Sequence, residues 1–267
     1  MSQLFYLYGM IQTRENQTNP FSELKGIDGE HRLDLMEYGE LSAVFCHVDE
    51  EEFGEDVLEE KTNQMEWVKD KAFHHHEMLM KIHEQATIIP MKFCTIYKTE
   101  QNLRAMIDSH QQQMVDLLKQ LDGKEEWNLK IYCDRDRLSE QVSEHNLNIK
   151  KKKEEIAQMS KGRQYLESRK IDQYIDQEVE KEQEEFSSEF HDKLADFSVN
   201  STVKKNWNRD VTGKDEEMCW NSAYLVPLDK VENFLELVTE AEKAHGQSGW
   251  IFEATGPWPA YHFANLS

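Results

Sequence analysis

The chain has 267 residues, of which 52 are acidic and 31 basic, giving a formal net charge of −21 with 38% apolar residues. It is long enough for a sizeable core in one large or two ordinary domains, and its charge repels phosphate backbones and anionic lipid surfaces, so neither nucleic acid nor membrane is expected as a partner. Its four cysteines, Cys46, Cys94, Cys133 and Cys219, lie far apart with no C-x-x-C pair, which argues against a cysteine-based zinc site and against a redox dithiol.

Leu4 to Ile11 is a nearly continuous apolar run, the pattern of a strand buried on both faces. A basic flank is missing from the first twelve residues, so they read as a strand and not a targeting segment. Reduced thiols in the cytoplasm are the default expectation. No run approaches the roughly twenty apolar residues of a membrane helix. Thr13 to Glu30 is polar and reads as a surface loop. His31 to Tyr38 and Leu41 to Val48 read as a hairpin with Gly39 in its turn.

A long helix follows. Met65, Val68, Ala72, His75, Leu79, Ile82 and Ala86 make one apolar seam at helical spacing. Pro90 must lie outside it, and Ile88 to Tyr97 reads as a single strand rich in Ile, Thr, Phe and Tyr. Leu103, Ile107, His110, Met114, Leu117 and Leu121 mark a second helix that ends at Asp122-Gly123. Trp127, Leu129, Ile131 and Cys133 alternate as a strand. The order up to residue 134 is close to a ferredoxin-like α+β sandwich.

Between Asp134 and Phe197 charged residues dominate. Ile171, Ile175, Val179, Phe186, Phe190, Leu194 and Phe197 keep a helical stripe, so at least two helices are expected, with a break near Ser160-Lys161-Gly162. The basic run Lys150 to Lys153 reads as a solvated helix face. Two strands, Val199 to Trp207 and Cys219 to Val226, precede a helix that Asp229 and Glu232 are placed to start with a capping box. Trp250, Phe252 and Ala254 alternate as a last strand. Gly256-Pro257-Trp258-Pro259 reads as a rigid extended tail whose aromatics lie on the body of the protein. The fold expected is thus α+β in two domains. Residues 1–134 form the ferredoxin-like one, and residues 135–267 combine long charged helices with a small α+β unit and the aromatic tail.

Few residues are arranged for chemistry. His74, His75, His76 and His83 include no pair four apart, so they do not present two ligands on one helix face. His75 falls on the apolar seam and reads as a hydrogen-bonded core histidine. Cys94 reads as a small buried hydrophobe. No nucleophile elbow, P-loop or G-x-G-x-x-G occurs, so no catalytic residue, cofactor or metal is expected. The rigid aromatics Trp258, Tyr261 and Phe263, with Tyr6 and Tyr8 of the first strand, are the candidate partner-binding residues. The rival reading is a ligand- or metal-binding enzyme or sensor on a ferredoxin-like scaffold.

Five segments carry a family resemblance. They are Leu4-Phe5-Tyr6-Leu7-Tyr8-Gly9, Ala72-Phe73-His74-His75-His76-Glu77 with Thr87 to Ile96, Glu125-Glu126-Trp127-Asn128-Leu129-Lys130-Ile131, Gly162-Arg163-Gln164-Tyr165-Leu166, and Gly256-Pro257-Trp258-Pro259-Ala260-Tyr261-His262-Phe263. In this order they resemble the GvpF/GvpL family of gas vesicle proteins over nearly the whole chain. Common members have Gly where this chain has Cys94 and Pro where it has Ala260; the first departure and the long C-terminal half favour the L branch. The resemblance implies a non-enzymatic accessory or minor structural component of the cytoplasmic gas vesicle. Such a component assists assembly by contacting the small hydrophobic shell protein GvpA and other accessory Gvp proteins, and prevents GvpA aggregation. It leaves the oligomeric state open.

Overall fold

A computed structural model of the chain describes residues 3–13 and 18–266. The fold is α+β with two antiparallel sheets. The chain compacts into two units, Met1–Glu126 with Pro257–Ser267, and Trp127–Gly256. The boundary drawn at residue 134 from composition differs from this compaction. Composition marks where the charged helices begin, whereas the first unit ends within a strand and the tail belongs to it.

Unit 1 contains β1 (Gln3–Gln12), β2 (Leu33–Tyr38), β3 (Leu41–Asp49), the short helices α1 (Glu50–Phe53) and α2 (Glu55–Lys61), α3 (Met65–His83), β4 (Ile88–Pro90), β5 (Ile96–Tyr97) and α4 (Glu100–Leu121). The sheet order is β2-β3-β1-β4, with β5 also pairing β1. β1 is central, as its two-faced apolar run requires. Tyr38 pairs with Leu41 across a two-residue turn, and Gly39 takes φ 60° there, which a tight hairpin demands.

Along β1 and β3, Leu4, Tyr6, Tyr8, Ile11, Val44, Cys46 and Val48 pack with Met78, Leu79 and Ile82 of α3 in one core cluster. By strand alternation the other face carries Leu7, Met10, Ala43 and Phe45, also buried. Helix α4 is capped by Thr99, whose side chain accepts from the Asn102 N–H, and Gly123 follows it in the left-handed region. Met65, placed on the α3 seam by periodicity, is exposed at the first turn instead.

The single strand expected over Ile88 to Tyr97 is two strands with a turn between. β4 ends at Pro90 and pairs with Gly9 to Ile11; β5 pairs with Phe5 and Tyr6. Both therefore lie along β1, and the residues between them bulge off the sheet.

Unit 2 is entered along β6 (Lys124–Cys133). It continues through α5 (Arg135–His145), α6 (Leu147–Ala157), α7 (Lys161–Ser168), α8 (Ile171–Ala195), β7 (Asn200–Val203), the short α9 (Arg209–Thr212), β8 (Glu217–Pro227), α10 (Val231–His245) and β9 (Trp250–Trp258). The sheet order is β7-β8-β6-β9. The charged stretch makes four helices because Asp134 and Asn146 each cap a new one with a side-chain oxygen. Their sparse apolar residues suffice. Leu138, Val142, Ile149, Val179, Phe190 and Leu194 join Leu129, Ile131, Tyr224, Phe234 and Trp250 in one core. The capping box expected at Asp229 and Glu232 does not form: Leu228–Lys230 is a 3-10 turn, and no side chain caps α10. The Gly256-Pro257-Trp258 segment is the end of edge strand β9 rather than a separate extended tail. An edge position is where proline costs the sheet no ladder bond.

Candidate functional site

Four of the five segments that resemble the family contribute residues to two sets of polar contacts in unit 1. The first is built on His75, buried on the inner face of α3. Its Nε2 lies 3.2 Å from the Met91 carbonyl, which only accepts, so Nε2 carries the proton. Nδ1 is then the acceptor for the Tyr6 hydroxyl at 2.8 Å. The Tyr6 oxygen in turn accepts the Cys94 N–H at 3.2 Å. One chain of hydrogen bonds thus runs from Cys94 through Tyr6 and His75 to Met91, tying the turn between β4 and β5 to β1 and α3.

Rings enclose this chain. Tyr8 stacks on the His75 imidazole at 5.4 Å, and Phe93 meets its edge at 5.9 Å. Burial pushes the His75 pKa down to about 4, because the imidazolium has lost its water. The imidazole is therefore neutral, the form that the hydrogen bonds require.

Cys94 itself has φ 63°. It is half-buried at the turn between β4 and β5, not packed within a strand as expected. A left-handed conformation costs a non-glycine residue about 1–2 kcal/mol. This explains why glycine suits the position, as it does in the members this sequence resembles.

The second set fastens the C-terminal tail. Glu126 is 0% exposed, yet both its oxygens are satisfied by one residue. Oε2 accepts the His262 backbone N–H at 2.8 Å and Oε1 lies 2.6 Å from His262 Nδ1. A buried carboxylate without such partners would be strongly unfavourable. Next to it, the Tyr261 hydroxyl and His76 Nδ1 share a hydrogen bond of 2.8 Å. The His76 ring also lies 5.4 Å from the Trp258 ring. Ala260 and Ala264 are buried beneath.

A groove of about 490 Å³ runs beside these contacts, lined by His75, His76, Met91, Phe93, Tyr261 and Leu266 among others. Tyr261 is 37% exposed at its rim, and Phe73, one turn before His76 on α3, is 69% exposed. The surface therefore combines apolar side chains, neutral histidines and a rigid aromatic tail.

The sequence-derived candidates divide. Trp258 and Phe263 are half-buried and Tyr261 is exposed. Tyr6 and Tyr8 are 0% exposed and do not qualify as partner-binding residues, because β1 is central and their side chains fill the α3-side core. Glu126 and His262 lie within the resembling segments, but neither is distinguished by sequence pattern. Their signal was weak, since a carboxylate among 52 acidic residues gives no hint of burial. Among the described residues no cluster of three or more His, Cys, Asp or Glu side chains is placed to hold a metal. Nor is any helix there long and apolar enough to cross a membrane. The fourth resembling segment, on α7, leaves the apolar side chains of Tyr165 and Leu166 exposed.

Comparison with known proteins agrees with this geometry. The family model described as "Gas vesicle synthesis protein GvpL/GvpF" matches residues 4–265. Gas vesicle protein L of Streptomyces sp. (strain CB03234) is 25% identical over 242 residues, 91% of this chain and 86% of that protein. Gas vesicle protein F1 of Halobacterium salinarum is 22% identical over 269 residues, 100% of this chain and 95% of that protein. The crystal structure of GvpF from Anabaena sp. PCC7120 shares the fold with a TM-score of 0.72 at 18% identity, covering 100% of both chains. That of GvpF from Microcystis aeruginosa has a TM-score of 0.68 at 20% identity, again covering 100% of both.

Proposed function

The chain belongs to the GvpL/GvpF family of gas vesicle synthesis proteins, and from that membership we propose that it assists gas vesicle assembly by binding the apolar shell protein GvpA together with other accessory Gvp proteins. It does so in the cytoplasm, as a non-enzymatic helper or minor component of the vesicle. The observation that supports this most is the groove in which Ile89, Met91, Phe93 and Leu266 are joined by the exposed Tyr261. Exposed aromatics on a rigid frame make good interface anchors, since little side-chain freedom is lost on binding.

A shell subunit with an apolar face is an aggregation hazard before it assembles. A partner that covers the face and carries a net charge of −21 keeps the complex soluble.

Replacing Trp258 and Tyr261 together by Ala tests the docking role, with circular dichroism for the fold and co-purification of GvpA for binding. A folded variant that retains less than a tenth of the GvpA supports docking at the tail. A folded variant with unchanged binding removes the tail from the interface. An unfolded variant assigns the aromatics to the core, and Leu266→Ser, at the half-buried C-terminal edge of the groove lining, then tests the same groove without touching the core.

A further inference from the structure

Between Leu147 and Lys170 eight residues are basic and three acidic, a local excess of positive charge in a chain whose net charge is −21. The excess runs into α7. Gln164 faces inward there and donates to the Ala157 carbonyl at 2.7 Å. The outer face centres on Leu166, with Tyr165 beside it and Arg163 and Arg169 three residues to either side, the spacing of neighbours on a helix. Tyr165 is 61% and Leu166 60% exposed. The Arg169 guanidinium lies over the Tyr165 ring at 5.1 Å, so ring and cation are held together. Lys161 and Arg163 form no ion pair among the described residues. Single apolar residues scattered on a surface need no explanation; an adjacent pair set among cations is a different feature.

A surface of opposite character lies in the same unit. Helix α5 and the first turns of α8 enclose a groove of about 360 Å³, lined by Glu140, Glu144, Asp172 and Asp176 with Ile175 among them. Ile175 packs against the unit 2 core and gives the groove its apolar member. Arg135 meets Asp176 at 3.2 Å, and Lys153 reaches the Ser143 hydroxyl at 2.9 Å. Glu140, Glu144 and Asp172 have no ion pair among the described residues.

We propose that the α7 tip of one chain docks in the α5–α8 groove of a second copy, and that the chain forms a symmetric dimer through this contact. Tyr165 and Leu166 supply the apolar contact with Ile175. Arg163 and Arg169 face Glu140, Glu144 and Asp172. Arginine suits such a contact, because it is weakly hydrated and can bond one carboxylate through two N–H groups. The tip and the groove are complementary in sign. They do not meet within one chain, because only Arg169 and Lys170 separate α7 from α8, too short a connection to fold the tip onto the start of α8. Since tip and groove are neighbours, a two-fold axis seats both tips in both grooves at once, and the assembly closes at two copies. Closure leaves no basic tip free, and the remaining negative charge repels a third copy.

Salt acts on this contact in two ways, because two chains of net charge −21 also repel each other as wholes. At ~0.01 M the Debye length is about 30 Å, and the whole charges oppose association. At ~0.1 M it is about 10 Å, which screens the whole molecules from each other but not the groups in contact. At ~1 M it is about 3 Å, and the contact charges are screened as well. Association is therefore strongest near the middle of this range.

The test is the mass of the full chain in solution, by light scattering and sedimentation over a range of concentrations, at ~0.1 M and ~1 M salt, with circular dichroism to check that each variant folds. The expected result is the mass of two chains at the lower salt and a shift towards one at the higher. Arg163→Glu with Arg169→Glu should give the mass of one chain, as should Glu140→Lys with Glu144→Lys, because like charges then meet at both contacts. An equal mixture of these two double variants should return to the mass of two, since each altered tip now meets a groove of opposite sign. Leu166→Ser should weaken association about tenfold, the cost of one buried leucine contact. If a charge reversal unfolds the chain, Leu166→Ser, which changes one exposed side chain, carries the test alone. A native chain with the mass of one at every concentration and salt would overturn the inference and leave the tip to a different acidic partner. So would a dimer that these variants leave unchanged, a mass that grows past two chains, or double variants that stay single when mixed.

Discussion

His75 connects the chemistry of one residue to the stability of unit 1. Its ordinary pKa of 6.5 is lowered to about 4 by burial, and its helical neighbours His74 and His76 act in the same direction. The unfolded chain therefore takes up the proton first as the pH falls. The stabilisation is fully present above about pH 6.5 and is lost between there and pH 4, amounting to about 3 kcal/mol. His76, His83 and His191 are also lowered by burial and add the same sign. Urea unfolding of the native chain and His75→Gln at pH 7 and pH 4.5 isolates the His75 share, and the slope with pH should be shallower in the variant. Cys94→Gly is expected to raise stability by up to about 1 kcal/mol, the relief of a left-handed residue less the added backbone entropy. Cys94→Val should lower it, because a β-branched residue tolerates positive φ least. The role of His75 was legible in the sequence because a polar residue on an apolar seam needs partners. The conformation of Cys94 was not, because the turn that imposes it depends on two strands both pairing with β1.

Among the elements, β1 organises unit 1, and Gly9 is where it meets β4. A Cβ at Gly9 would stand 2.5 Å from Ile88 Cδ1 and 2.6 Å from the Ile89 carbonyl oxygen. Gly9→Ala is therefore expected to cost about 1–3 kcal/mol as an overpacking change, read as a lower urea midpoint with an unchanged slope. A midpoint equal to that of the native chain would mean that β4 moves aside freely. Helices α3, α4 and α8 and the central strands were legible because their apolar spacing is decided by the face they bury. The subdivision into α5, α6 and α7 was not, since capping by Asp134 and Asn146 depends on local side-chain geometry within a charged run. The division of the Ile88–Tyr97 stretch was hidden by its uniformly strand-like composition. Glu126 joins the β6 segment to the tail through His262. Glu126→Gln removes the charge but keeps an acceptor, and is expected to cost about 1–3 kcal/mol, since charge-assisted hydrogen bonds are the stronger kind.

At the scale of the whole molecule, two features bear on function. One is a net charge of −21, spread over helices whose outer faces are polar. The other is a local groove on unit 1, lined in part by Ile89, Met91, Phe93 and Leu266, with an aromatic tail fixed beside it. A binder of an aggregation-prone partner needs both, one surface that accepts apolar contact and a remainder that repels further copies. The measurement that tests this most directly is co-expression of the chain with GvpA, followed by separation of soluble and insoluble material and co-purification. Soluble GvpA recovered with the chain at a fixed ratio, and lost with the Trp258 and Tyr261 double substitution, is the expected result. GvpA that remains insoluble, with none recovered on the purified chain, would contradict direct binding of the shell protein.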